Sequence, residues 1–163
     1  MTPKLTGSHL QTLDDRLRLA VPSKLIPTLR ELAGVSEDDP LDVVVTITMN
    51  GHLGVYPRRV FTEMFEKLEQ APPEDLDAAD LRLAYLNYMD EQSLDKQNRF
   101  RVPQMHAEAF GLSGEVVVMG SERFLEVVSK AKWNEILKDR QPKLRHQAAQ
   151  MHQFQRELRS AQG

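Results

Sequence analysis

The 163-residue chain contains no cysteine. That excludes disulfides, thiolate metal sites and cysteine nucleophiles together, and it suits a reducing compartment. No apolar run approaches the roughly 18 residues that a membrane helix needs. The N-terminus also lacks the basic-then-apolar pattern of a signal peptide, so a cytoplasmic location without membrane contact is expected. Catalytic fingerprints are missing too: there is no G-x-S-x-G, no P-loop and no dinucleotide-binding glycine pattern. His146 and His152 are six residues apart, which keeps them off one helical face, so no metal site is expected. Glu37, Asp38 and Asp39 lack the glycine and spaced oxygens of a calcium loop and read as a hydrated turn. No cofactor, no small-molecule substrate and no enzymatic activity are therefore expected.

What the chain does have is an uneven charge. Its formal net charge is −3. Residues 36–92 carry four basic and thirteen acidic side chains, whereas residues 1–35 carry five and three, and residues 130–163 carry eight and three. Basic charge therefore sits towards the two ends and acidic charge in the middle, a distribution that matters more for partners than the total does.

The chain also has a repeat. LDDRLRLAVP, Leu13 to Pro22, returns as LDKQNRFRVP, Leu94 to Pro103. Asp14 and Asp95, Arg18 and Arg99, Val21 and Val102, and Pro22 and Pro103 are all 81 residues apart. A constant offset over four identities marks an internal duplication, which organises the rest of the chain.

Each copy heads a similar series of elements. In the first, a strand from Leu5 to Leu13 enters the motif, and a short strand closes at Pro22, which cannot donate to a ladder. Ser23 is placed to cap a helix with Leu25, Leu29 and Leu32 on one face, ended by Gly34. Leu41 to Met49 and His52 to Tyr56 read as a hairpin about Asn50-Gly51, followed by a helix with Val60, Phe61, Met64, Phe65 and Leu68 at helical spacing. In the second copy, Asp77 is placed to cap a helix running to about Asn87, and a strand from Phe100 ends at Pro103. A short helix to Phe110 follows, then a hairpin of Val116 to Met119 with Phe124 to Val128, and a helix with Trp133, Ile136 and Leu137. Phe61 and Trp133 match at an offset of 72, so the first unit holds nine extra residues, assigned to its surface loop and short helix. The fold class is α+β, with two tandem βαββα-like repeats at 5–70 and 76–139 divided by Ala71-Pro72-Pro73. A basic, helical or partly ordered C-terminal tail spans 140–163.

The motif itself suggests chemistry. An aspartate and an arginine at i and i+4 across a tight loop can pair, or the carboxylate can accept loop N–H groups; either way Asp14 and Asp95 shape their loops. Arg16 and Arg18 place two cations in the first loop.

Both Asp-x-x-x-Arg copies with their following prolines, together with HLGVYP (His52 to Pro57), GEVVVMG (Gly114 to Gly120) and the Arg123-Phe124 to Trp133 ending, resemble the MraZ family of bacterial transcriptional regulators. The resemblance covers roughly Leu5 to Leu137. It implies an AbrB-like double-split, swapped-hairpin β-barrel in which the two repeats form a pseudo-dimer. It further implies a homo-oligomeric ring that binds double-stranded DNA at direct repeats in the promoter of a cell-division and cell-wall gene cluster, within the bacterial cytoplasm and nucleoid. Arg18 falls at the position associated with DNA contact, with Arg16 beside it, Lys24 as a phosphate contact and Arg99 either a secondary contact or simply the partner of Asp95. The acidic middle is then expected to face away from the duplex. The family has Lys-Gly before the arginine, where this chain has Arg16-Leu17 and Gln97-Asn98. Leucine disfavours positive φ, so the first loop is expected to differ in shape and the second to hold the fold. The alternative is a ring-forming interaction module that has lost or altered DNA recognition.

Overall fold

A computed structural model describes residues 2–163. They fall into two compact units, residues 2–129 and the C-terminal segment Lys130–Gly163. The first half of the larger unit runs β1 (Ser8–Thr12), β2 (Arg18–Ala20), a 3-10 turn (Ser23–Leu25), α1 (Ile26–Ala33), β3 (Asp42–Ile47), β4 (Leu53–Pro57) and α2 (Arg58–Glu69). After α3 (Leu76–Tyr88) the second half repeats the series as β5 (Asp90–Ser93), β6 (Arg99–Arg101), α4 (Gln104–Phe110), β7 (Glu115–Gly120) and β8 (Leu125–Ser129). The C-terminal segment is a single helix, α5 (Lys130–Gln162), which continues through Pro142. The protein is thus a mixed α+β molecule with an antiparallel sheet, five α-helices among the described residues and a helical C-terminus.

Local chemistry explains most boundaries. Gly34 and Gly111 close α1 and α4 in the left-handed conformation, at φ 70° and 63°, where a Cβ would be strained. The β3–β4 turn is a three-residue loop, Met49 to Gly51, in which the Gly51 N–H donates to Thr48 O and Gly51 takes φ 76°. Two expected caps are corrected. Ser23 is the first residue of the 3-10 turn, whose cap position is Pro22, and no side chain caps that turn. The cap of α3 is Asp75, whose carboxylate accepts from the Ala78 N–H at 3.0 Å; Asp77 lies two residues further on, inside the first turn, and adds negative charge at the helix N-terminus.

The halves are interlocked. Six strands form one antiparallel sheet in the order β1-β7-β8-β4-β3-β5, and β2 and β6 form a separate two-stranded ribbon. The first strand of each half therefore pairs with the third strand of the other, β1 with β7 and β5 with β3. The register keeps the symmetry residue by residue: Thr12 pairs with Glu115 and Ser93 with Asp42. The offset between halves falls from 81 at β1 and β5 to 73 at β3 and β7 and 72 at β4 and β8. Eight of the nine extra residues thus lie between β2 and β3, and one lies in the hairpin loop. In the ribbon the symmetric centre is the pair Leu19 and Phe100; in the sheet it is Gly54 and Glu126.

Burial follows from this. Val43, Val44, Val45, Leu53 and Val55 are completely buried, as are Leu19, Leu29, Val102, Val116 and Leu125. Continuous apolar runs such as β3 and β4 are what strands covered on both faces require. Tyr56, Phe61 and Tyr85 join β4, α2 and α3 edge to face, with ring centroids 5.8 and 6.0 Å apart.

At the sheet centre one half carries glycine and the other a buried carboxylate. A Cβ on Gly54 would stand 2.7 Å from both the Thr48 methyl and the Tyr56 ring. Glu126 opposite it is 5% exposed and accepts hydrogen bonds from Thr48 Oγ1 (2.6 Å), Ser121 Oγ (2.7 Å) and Asn50 Nδ2 (3.1 Å), with His52 Nδ1 at 3.4 Å. Burial alone would raise the Glu126 pKa; the donors from Thr48, Ser121 and Asn50, with His52, outweigh it and hold the carboxyl below its usual range. The ionised carboxylate ties the tip of the β3–β4 hairpin to that of β7–β8.

Leu19 is fully buried at the ribbon's centre of symmetry, so Leu19→Ala should lower the unfolding free energy by about 2–5 kcal/mol in urea titrations. A loss under about 1 kcal/mol would show that the ribbon is not packed into the common core.

Candidate nucleic-acid interface

The two copies of the repeated motif form the loops that lead into the ribbon. In the first, the Asp14 N–H donates to Arg18 O (3.1 Å) and the Leu17 N–H to Asp14 O (3.0 Å), closing a tight turn. The Asp14 carboxylate fills its interior: Oδ1 accepts from the Arg16 and Arg18 N–H groups (2.9 and 2.8 Å), and Oδ2 accepts from Arg18 Nε (2.7 Å). The second loop is a copy. Asp95 Oδ1 accepts from the Gln97 and Arg99 N–H groups, each at 2.9 Å, and Oδ2 accepts from Arg99 Nε at 2.9 Å. Each aspartate thus accepts loop N–H groups and pairs with its arginine at the same time.

The expected difference in shape between the loops is absent. Leu17 adopts φ 60° and Asn98 φ 58°, so leucine occupies the left-handed conformation that costs an ordinary side chain roughly 1–2 kcal/mol. The offset is visible in the packing: Leu17 is half-buried against the core and lines a depression with Gln104, Ala107, Gly111 and Leu112 on and after α4. Its carbonyl accepts from the Val102 N–H (2.8 Å), as that of Asn98 accepts from Val21 (2.9 Å). Each loop is therefore hydrogen-bonded to the ribbon strand of the other half.

These bonds fix where the cations lie. Leu19 and Phe100 are buried, so the alternation of a strand sends Arg18, Arg99 and Arg101 to the opposite, outer face. Arg18 and Arg101 are register partners, so two cations share this stretch of the ribbon, one of them paired with Asp14. Arg18 begins β2 and Arg99 begins β6; both are about one-third exposed and use Nε for their aspartate, and a guanidinium has four further N–H donors. Arg16 is exposed at the first loop, and Lys24 is exposed in the 3-10 turn just beyond the end of β2. Because the ribbon is antiparallel, Arg16, Arg18 and Arg101 gather at one end, and Lys96 and Arg99 at the other, the end from which the chain continues to Lys24. Residues 13–24 and 94–105 together carry six basic and three acidic side chains in a chain of net charge −3.

Arg101 and Lys96 were not among the residues expected from sequence. The signal for Arg101 was the triplet Arg99-Phe100-Arg101, whose alternation around an apolar centre exposes both arginines together. Lys96 stands where the first copy has Asp15. Among the described residues no cluster of three or more His, Asp or Glu is arranged to hold a metal ion, and His146 and His152 are both exposed on α5.

Residues 87–155 match the family model described as "MraZ protein, putative antitoxin-like". Proteins named "Transcriptional regulator MraZ" are similar over most of the chain. One from Rhodococcus opacus (strain B4) is 33% identical over 127 residues, 78% of this chain and 82% of the relative. One from Corynebacterium kroppenstedtii is 31% identical over 129 residues, 79% and 83%. One from Moorella thermoacetica is 31% identical over 133 residues, 82% and 86%.

The N–H of Arg18, foremost, then its guanidinium and the Arg16 N–H hold the Asp14 pKa below its ordinary 3.8 against some desolvation. For Asp95 desolvation is the largest influence, and the Arg99 and Gln97 donors together overcome it. A depressed carboxylate contributes stability that is complete above its ordinary pKa and is lost as pH falls through the lower folded value. In thermal unfolding followed by circular dichroism, Asp14→Asn/Asp95→Asn should melt below wild type at pH 7, and the gap should narrow below about pH 4. A gap that is constant from pH 7 to pH 2 would show that the charges of these carboxylates do not stabilise the loops.

Proposed function

The chain belongs to the MraZ family, and from that premise we propose that it regulates transcription by binding double-stranded DNA through the β2–β6 ribbon and its two loops. The observation that carries this reading is the outward row of Arg18, Arg99 and Arg101, flanked by Arg16, Lys24 and Lys96, on a surface whose loops are fixed by hydrogen bonds. Cations on a pre-ordered backbone contact phosphates at little conformational cost, and a guanidinium held by one nitrogen retains donors for a phosphate or a guanine edge.

The exchanged strand pairing supports an AbrB-like swapped-hairpin barrel, with repeats at 5–70 and 76–139 and the basic tail at 140–163. Several such units in a homo-oligomeric ring engage successive direct repeats in a promoter, and that of a cell-division and cell-wall gene cluster is the proposed target. Linking several weak contacts raises avidity without strengthening any one of them. The acidic residues of 36–92 face away from the duplex in this arrangement. Regulation by occupancy requires no catalysis, and the place of action is the cytoplasm and nucleoid. No helix among the described residues is long and apolar enough to cross a membrane.

Titration of the purified protein against a duplex from its own upstream region, at two salt concentrations, tests this reading. Binding should weaken steeply with salt, and Arg18→Ala and Arg101→Ala should each lower affinity by roughly tenfold or more at unchanged oligomer size. Absent or salt-independent binding by an intact oligomer would support the interaction-module reading instead.

A further inference from the structure

Helix α5 is 33 residues long, roughly 50 Å, and none of its residues is buried. Leu137, Leu144, Met151 and Leu158 nevertheless recur every seven residues, and they are 40%, 55%, 56% and 47% exposed. Phe154, 54% exposed, and Trp133 flank the same stripe three or four residues away. Large apolar side chains recurring every seven residues over three successive intervals mark one position of a coiled-coil seam; Trp133, Arg140, Gln147 and Phe154 stand at the other. The other positions agree. Pro142, which cannot donate its helical hydrogen bond, lies on the side opposite the stripe, and Lys138, Arg145, Arg156 and Arg159 also point away from it.

We propose that α5 pairs with α5 of a second copy of this chain as an antiparallel coiled coil centred near Ala148 and Ala149. Charge decides the direction. The flanking positions of one seam edge are Ile136, Lys143, Gln150 and Glu157; those of the other are uncharged: Asn134, Gln141, Ala148, Gln155 and Gln162. In a parallel pair the two edges face each other, so neither Lys143 nor Glu157 meets an opposite charge, and Arg140 meets Arg140 in the seam. In an antiparallel pair each edge faces itself. Lys143 then meets Glu157 of the second copy twice, once on each side of the centre. The same register sets Leu144 against Phe154, Met151 against Gln147 and Leu158 against the aliphatic stem of Arg140. Among the described residues Glu157 accepts from Gln153 through Oε1, at 3.2 Å, a contact that leaves its second oxygen for the lysine. Such a contact is two-fold and self-complementary, so it joins copies in pairs and is distinct from the head-to-tail contact that closes a ring.

The absence of cysteine makes disulfide trapping in the full chain unambiguous. Mixing Gln147→Cys protein with Met151→Cys protein under mild oxidation should give a cross-linked dimer on non-reducing gels, whereas each variant alone should give none. Lys143→Glu in both partners should abolish the mixed product, and adding Glu157→Lys should restore it. A dimer formed by Met151→Cys alone would mean a parallel seam, and no mixed product would mean no α5 pairing; either overturns the proposal. Neither result touches DNA binding, which is measured separately.

Discussion

Everything in the larger unit depends on the carboxylate at the head of each motif. β1 belongs to the six-stranded sheet and β2 to the ribbon, so the chain must leave one sheet and enter the other within five residues. Such a turn exposes backbone N–H groups that neither sheet can pair. Asp14 and Asp95 satisfy two of them apiece and add a bond to an arginine guanidinium. The same bonds that turn the chain set Arg18 and Arg99 at the start of their strands. Fold and cationic surface thus have one local cause.

Much of this was legible in the sequence. The constant offset of 81 revealed the duplication, the glycines after α1 and α4 marked helix ends, and the hairpins announced themselves by Val-rich runs around turn residues. The pairing of each first strand with the other half's third strand was suggested by the family resemblance alone, because pairing between distant segments leaves no mark in either segment's own pattern. The conformation of Leu17 was not legible. Local propensity argues against positive φ for leucine, and only the seat beside Ala107 and Leu112, brought there by the fold, offsets it. The caps failed for a simpler reason: Asp75 and Asp77, or Pro22 and Ser23, are neighbours whose roles depend on where the first helical residue falls.

The candidate site shows the same division. Arg18 and Arg99 could be named from the motif because it repeats, and Arg16 and Lys24 because they lie beside Arg18 in the chain. Arg101 has no counterpart in the first copy, where Ala20 stands; the alternation about Phe100 marks it as outward, and the pairing of β2 with β6 sets it beside Arg18. The basic ends of the chain are plain in its charge by segment, whereas the meeting of cations from residues 13–24 and 94–105 on one ribbon depends on the pairing of β2 with β6.

Gly54 and Glu126 carry a lesson about ancestry. The symmetric architecture invites the thought that either half could be used twice, as two separate identical chains. Two second halves would bring two buried carboxylates together at the sheet's centre, without the Thr48 and Asn50 donors that now bind one. Two first halves would leave those donors facing a glycine, with nothing to accept from them. The halves have become complementary rather than equivalent, so each now needs the other as a lock needs its own key, and the fusion of the two into a single chain can no longer be undone by simple division.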